Sequence, residues 1–275
     1  MEESIEGVAL LIIIVTTLVS YQGFKSPSFF GRYAFEVDPI LVGKEYIRIF
    51  SSGFLHANWL HLIFNMATLF AFSYGVGFVL GIRSFVLLYG LSLLAGNLLT
   101  LYMHRHHGGY RAIGASGAVS GVLFSSIVLF PEATITFPFL PFEMSSWVFG
   151  LGYMLISLYG IKVQAGNTGH EAHVGGAITG ILISLCLEPT IVKRHPILVV
   201  ALLIPFVLFM GLLVKRPEVL LLENDWGMNR TKNYAGNHYD EKIMDELLEK
   251  VGKNELNSLS HRERKKLEEL SKALK

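Results

Sequence analysis

The sequence predicts an all-α polytopic membrane protein, a bundle of transmembrane helices followed by a small, charged, helical tail. Three observations carry this. Of 275 residues, 52% are hydrophobic and only 16% charged, with a mean hydropathy of +0.47, whereas a soluble domain is about one-quarter charged. The apolar residues fall into runs close to the roughly 20 residues that cross a hydrocarbon core. Residues 215–275 hold 25 of the 45 charged residues, which separates a membrane domain, 1–214, from a water-soluble tail, 215–275.

The first run, 7–24, follows Met1-Glu2-Glu3-Ser4-Ile5-Glu6. That lead is acidic and lacks a positive region, so the run reads as a retained helix rather than a cleaved signal. A long loop, 25–55, carries Pro27, Arg32, Glu36, Asp38, Pro39 and Arg48. Six further spans are expected at 56–80, 84–103, 115–130, 147–163, 171–188 and 196–214. Trp59 and Trp147, near span ends, suit interfacial anchoring, and Cys186 reads as a small buried apolar residue. In the tail, Ile243, Leu247 and Val251 recur at helical spacing. Ser260 with Glu263 then forms the pattern of a capping box, opening a second helix with Leu267, Leu270 and Leu274. Two such short helices bury little alone and are expected to pack on each other or on a protein partner.

The composition also excludes functions. A net charge of +1 is too balanced for a nucleic-acid binder that relies on bulk charge, and one cysteine allows no internal disulfide framework or cysteine zinc site. His104, His106 and His107 resemble metal ligands, but their link contains Arg105 and no carboxylate. They read as a solvated interface loop; no metal and no cofactor is expected.

Polar side chains inside a bilayer are costly and mark function. Here they sit in the first turns of the second, fourth and sixth spans, which begin on the same side of the membrane. The second carries His56, His61 and Asn65, the last two on one helix face. The fourth opens with Gly114-Ala115-Ser116-Gly117, and the sixth carries His173. Gly114, Gly117 and Gly121 stripe the fourth span, Gly176 and Gly180 the sixth, a spacing that lets helices pack backbone to backbone. Singly, Ser116 suits helix packing and His173 an interhelical hydrogen bond. Together, a hydroxyl, an imidazole and hydrogen-bond donors at similar depth are the parts needed for nucleophilic acyl transfer. Glu171 lies two residues before His173 and faces away from it on a helix.

His56, His61 and Asn65, the Gly114–Gly117 motif, and His173 with Gly176 and Gly180, in this order, resemble the rhomboid intramembrane serine proteases. Arg48 and the Ser51-Ser52-Gly53-Phe54 segment share the resemblance, which covers about residues 40–190. It implies a six-helix core with one extra C-terminal span. It further implies a dyad of Ser116 as nucleophile and His173 as general base, with His61, Asn65 and the Ser116 N–H lining an oxyanion hole. His56, Gly114, Gly117, Gly176 and Gly180 would support the motif. The substrates implied are transmembrane proteins in the lipid bilayer, cut where a helix unwinds easily, and the expected location is a bacterial inner membrane. A catalytically inactive relative that binds or escorts membrane proteins is the alternative, and a histidine-based transporter ranks last.

Two positions depart from the family pattern. No acidic residue lies between Asn65 and Glu132, where many members place one near the end of the second span. Ser120 stands where some members carry an aromatic that stacks on the catalytic imidazole, so His173 must be oriented another way. Orientation in the membrane is taken from the resemblance, because Arg48 and the histidine loop belong to the site's own architecture, although the charge count runs against it. The resemblance puts the first and third loops outside the cytoplasm, yet Lys25, Arg32, Lys44, Arg48, Arg105 and Arg111 lie there, against Arg83, Lys193 and Arg194 opposite. Pro205 leaves open a re-entrant last span that would return the tail.

Overall fold

The computed structural model describes residues 5–136, 143–163 and 169–215, and in the tail residues 243, 244, 247, 250, 251, 259, 260 and 262–267. Contacts divide the chain into two units, Met1–Asp225 and Trp226–Lys275.

The first unit begins with α1 (Ile5–Lys25), which has Glu6 in its first turn and Lys25 in its last, charges that complement the helix dipole. The expected long loop is folded rather than irregular. It contains α2 (Pro27–Tyr33), α3 (Val37–Leu41) and α4 (Arg48–Ser51), then a 3-10 turn at Ser52–Phe54. Ser26 caps α2 by accepting from the Phe29 N–H, and Pro27 suits its first position. Arg48, only 4% exposed, ties this lobe together by donating to the carbonyls of Gly31 and Ala34 and to the Glu45 carboxylate. Sequence periodicity cannot register such a segment, because its order comes from one guanidinium satisfying distant carbonyls.

Next come α5 (Trp59–Leu80) and α6 (Ile82–Met103), joined by Gly81 alone. Its φ of +82° is one that glycine adopts without a steric penalty. The unit continues with α7 (Ser116–Leu129), α8 (Ser146–Val163), α9 (His170–Leu187), α10 (Thr190–Arg194) and α11 (Pro196–Lys215). Two ladders interrupt the helical architecture: β1 (Phe35–Glu36) with β2 (Arg111–Ala112), and β3 (Thr134–Thr136) with β4 (Glu143–Ser145).

Among the described residues, α1, α5, α6, α8, α9 and α11 are long and apolar enough to cross a membrane. The chain is a multi-pass integral membrane protein with the predicted all-α bundle. α7, read from sequence as a full span over 115–130, has only 14 residues. At 1.5 Å per residue it covers about 21 Å, against a hydrocarbon core of about 30 Å. If its far end reaches one surface, its N-terminus opens well below the other.

α7 is also the core of the bundle. Eleven of its 14 residues are buried, as expected of a helix apolar on all sides. α5, α6, α8 and α9 pack around it. Leu69, Leu88 and Val122 belong to a cluster joining α5, α6 and α7, while Phe124, Ile181 and Leu202 belong to one joining α7, α9 and α11. At the margins, α1 lies on α5 and α11 on α8, and both expose large apolar side chains such as Leu18 and Ile197. That surface suits lipid rather than water.

Two sequence expectations change here. α11 runs unbroken through Pro205, so the re-entrant turn is not made. Cys186 is exposed, not buried, because it falls on the outward face of α9, where an apolar side chain needs no protein neighbour in lipid. In the second unit the capping box forms: the Ser260 N–H donates to Glu263 Oε2 at 2.7 Å and the Glu263 N–H to Ser260 Oγ at 3.3 Å. Leu270 and Leu274 of the expected second helix lie outside the described residues.

Candidate active site

Glycine geometry brings α7 and α9 together. A Cβ at Gly176 would overlap the Gly117 carbonyl, and one at Gly180 the Gly121 carbonyl. The Ala172 carbonyl lies 3.2 Å from where a Gly117 Cβ would stand, and 2.6 Å from that of Gly96 on α6. The residue after Ala172 is His173, in the first turn of α9. Ser116 is the first residue of α7. The glycine stripes therefore set the two chemical residues on helices in backbone contact. Among the described residues, no hydrogen bond joins Ser116 Oγ to His173.

The other face of Ser116 meets α5. Gly114 has φ +122°, and a Cβ there would fall 2.8 Å from His61 Cε1, 3.0 Å from His61 Nε2 and 3.7 Å from Ser116 Oγ. The His61 imidazole and the Ser116 hydroxyl thus flank a gap that exists only because residue 114 has no side chain. Asn58 caps α5 by accepting from the His61 N–H, and Asn65 Nδ2 donates to the His61 carbonyl at 2.9 Å. That uses one amide hydrogen of Asn65 and leaves the second. No side chain caps α7, which leaves its first N–H groups and the positive end of its dipole without a side-chain acceptor at the helix start.

The folded first loop holds the approach to Ser116. β1 pairs with β2, Val37 N–H donates to the Tyr110 carbonyl, Asp38 N–H to that of Gly108, and Gly114 N–H to that of Ser52. Asn97 Nδ2 in turn donates to the Ile49 carbonyl and Ser52 Oγ. His56, expected inside the second span, instead lies in the link before α5. Its Nε2 accepts from the Ala115 N–H at 3.4 Å. Nδ1 then carries the proton and donates to Ser20 Oγ at 2.9 Å, and Ser20 donates onward to the Phe54 carbonyl. Burial, and then the neighbouring His61 charge, push His56 down from 6.5 to about 3, so it stays neutral and keeps this chain of bonds.

A family model described as the Rhomboid domain matches residues 43–190, just over half of the chain. The chain belongs to the rhomboid family. A second model, a family of unknown function (DUF6576), matches residues 236–273 of the tail. This rhomboid is 31% identical over 194 residues to "Rhomboid protein 1, mitochondrial" of Saccharomyces cerevisiae, covering 68% of this chain and 54% of that protein. It is 30% identical over 136 residues to "Presenilin-associated rhomboid-like protein, mitochondrial" of Rattus norvegicus, covering 47% and 35%. With "RHOMBOID-like protein 12, mitochondrial" of Arabidopsis thaliana it shares 25% over 185 residues, covering 61% and 54%. The chain spans about half or less of the length of these relatives. Their mitochondrial names give no support to the expected bacterial inner membrane.

Two features of the rhomboid site were missed in the sequence. His104, read as part of a solvated loop, is 7% exposed. Its Nε2 meets Glu171 Oε1 at 3.1 Å and its ring stacks on Tyr110 at 3.5 Å. The carboxylate that the histidine loop lacks comes from α9. Among the described residues, no group of three His, Cys, Asp or Glu side chains is placed to hold a metal ion. The second missed feature is Tyr153 of α8, whose ring lies 5.8 Å from that of His173. No spacing in the sequence announces it, since the partners belong to different helices.

Proposed function

We propose that this rhomboid is an intramembrane serine endopeptidase acting on transmembrane protein substrates through Ser116 and His173. One observation carries the reading: Ser116 starts a short helix, backed through Gly117 and Gly176 by the helix of His173 and faced across Gly114 by His61.

Ser116 Oγ attacks the scissile carbonyl while His173 takes its proton. The oxyanion is held by the Ser116 N–H, His61 Nε2 and the free amide hydrogen of Asn65. His173 returns the proton to the leaving amine, releasing one fragment. Water then attacks the acyl-Ser116 ester, giving its proton to His173, which passes it to the departing Ser116 Oγ as the second fragment leaves with a new carboxyl terminus. No metal or cofactor enters these steps. The substrate is a transmembrane segment unwound near this depth, because a helical peptide bond is shielded by its own hydrogen bonds.

An inactive relative that binds or escorts membrane proteins is the second reading. Cleavage of a transmembrane reporter in liposomes separates the readings. Cutting abolished by Ser116→Ala, with a serine-directed phosphonate labelling only the wild type, supports the protease. Cutting unaffected by Ser116→Ala ends that proposal.

A further inference from the structure

We propose that Tyr153 of α8, anchored by Ser120 of α7, is the positioning residue for the His173 imidazole. This rests on the proteolytic reading of Ser116 and His173. A general base without a carboxylate partner still needs its ring held, and among the described residues no hydrogen bond to the His173 ring does so. Among the described residues its aromatic neighbours are Tyr153, at 5.8 Å and 37°, and His170, at 5.9 Å and 80°.

The Tyr153 ring is itself fixed at both ends. Its hydroxyl lies 2.8 Å from Ser120 Oγ. Phe124 meets the ring edge-on at 5.7 Å and Phe149 at 6.1 Å, within the range of favourable aromatic pairs. Seven residues along α8, a Cβ at Gly160 would overlap the His170 ring. Tyr153 and Gly160 lie two turns apart on one helix face, so this face of α8 receives both leading histidines of α9, one against a ring and one in a notch.

Ser120 lies one turn beyond Ser116 on the same face of α7. The nucleophile helix is thereby linked to the base through α8: Ser120 holds the Tyr153 hydroxyl, and the Tyr153 ring limits the swing of His173. Ser120, at the position where the family resemblance leads one to look for an aromatic, here supports an aromatic supplied by the next helix.

The test uses the full chain in liposomes with a transmembrane reporter, rates being normalised to sites titrated by a fluorophosphonate. Tyr153→Leu is expected to lower kcat about 10- to 100-fold, the scale of a misplaced catalytic group, with KM changed by no more than about twofold. Tyr153→Phe keeps the ring and restores most of kcat, and Ser120→Ala matches Tyr153→Phe. Wild-type kcat per titrated site in Tyr153→Leu overturns the inference, as does a loss confined to the fraction of titratable sites. If Ser116→Ala abolishes cutting while Tyr153→Leu does not alter it, this inference alone fails. If Ser116→Ala cuts like wild type, the proteolytic reading fails and takes the inference with it.

Discussion

Gly176 of α9 stands so close to the carbonyl of Gly117 in α7 that a single added Cβ would overlap it. The obstructing atom is backbone, so no flexible side chain can move aside. Gly176→Ala is therefore expected to cost about 1–3 kcal/mol of stability by overpacking, and to abolish reporter cleavage by driving His173 away from Ser116. Gly152→Ala is the control: nothing lies within 4 Å of its Cβ position, and its thermal midpoint in detergent should match wild type. Equal midpoints for both variants would refute the backbone-contact account.

These contacts also show what the sequence made legible. Small-xxx-small spacing announced the α7–α9 approach, apolar runs announced the six long helices and the shorter α7, and Ser260 with Glu263 announced a cap. Legibility ended where order depends on distant partners. His104 and Glu171 are 67 residues apart, and nothing local in a histidine-rich link says that a carboxylate from another helix will enter it. The α7 helix differs by one residue at each end from the run read over 115–130, so its extent was legible, although its shortness against a bilayer went unread. Arg48 could be quoted as a motif residue, but its role as the tie of a folded loop is visible only in its carbonyl partners. Ser116 and His173 were legible as residue types opening two helices that pack together; the surroundings of the His173 ring were not.

The His104–Glu171 pair fastens the start of α9 to the end of α6, two residues before His173. Glu171→Ala leaves the buried His104 ring without this partner and should destabilise by about 1–3 kcal/mol. A double-mutant cycle with His104→Ala should return a coupling of about 0.5–3 kcal/mol, as for residues in direct contact. Additive losses in thermal unfolding would show that the pair does not act as a unit.

His56 makes stability depend on pH. Its folded value is pushed down to about 3 from 6.5, by burial first and the His61 charge second. Between those values the unfolded chain binds a proton that the folded chain refuses. Stability therefore falls as pH drops below about 6.5, by up to about 1.4 kcal/mol per unit, and the loss levels off below about 3. His56→Gln removes this contribution, so the difference between wild-type and variant thermal midpoints should change across that window. Parallel curves from pH 7 to 4 would contradict a neutral His56 accepting from the Ala115 N–H.

Asn65 offers a sharper probe of chemistry. One amide hydrogen is spent on the His61 carbonyl within α5, a bond that fixes the side chain along the helix and leaves the other hydrogen for a developing oxyanion. An interaction made only in the transition state lowers kcat when removed, whereas one made with bound substrate raises KM. Asn65→Ala should thus lower kcat by the equivalent of about 2–4 kcal/mol with little change in KM. Asn65→Asp, which keeps the shape but replaces donors with acceptors, should be at least as impaired at neutral pH. Reporter kinetics decide it: a variant raised in KM alone would place Asn65 in substrate binding and leave the oxyanion to His61 and the N-terminus of α7.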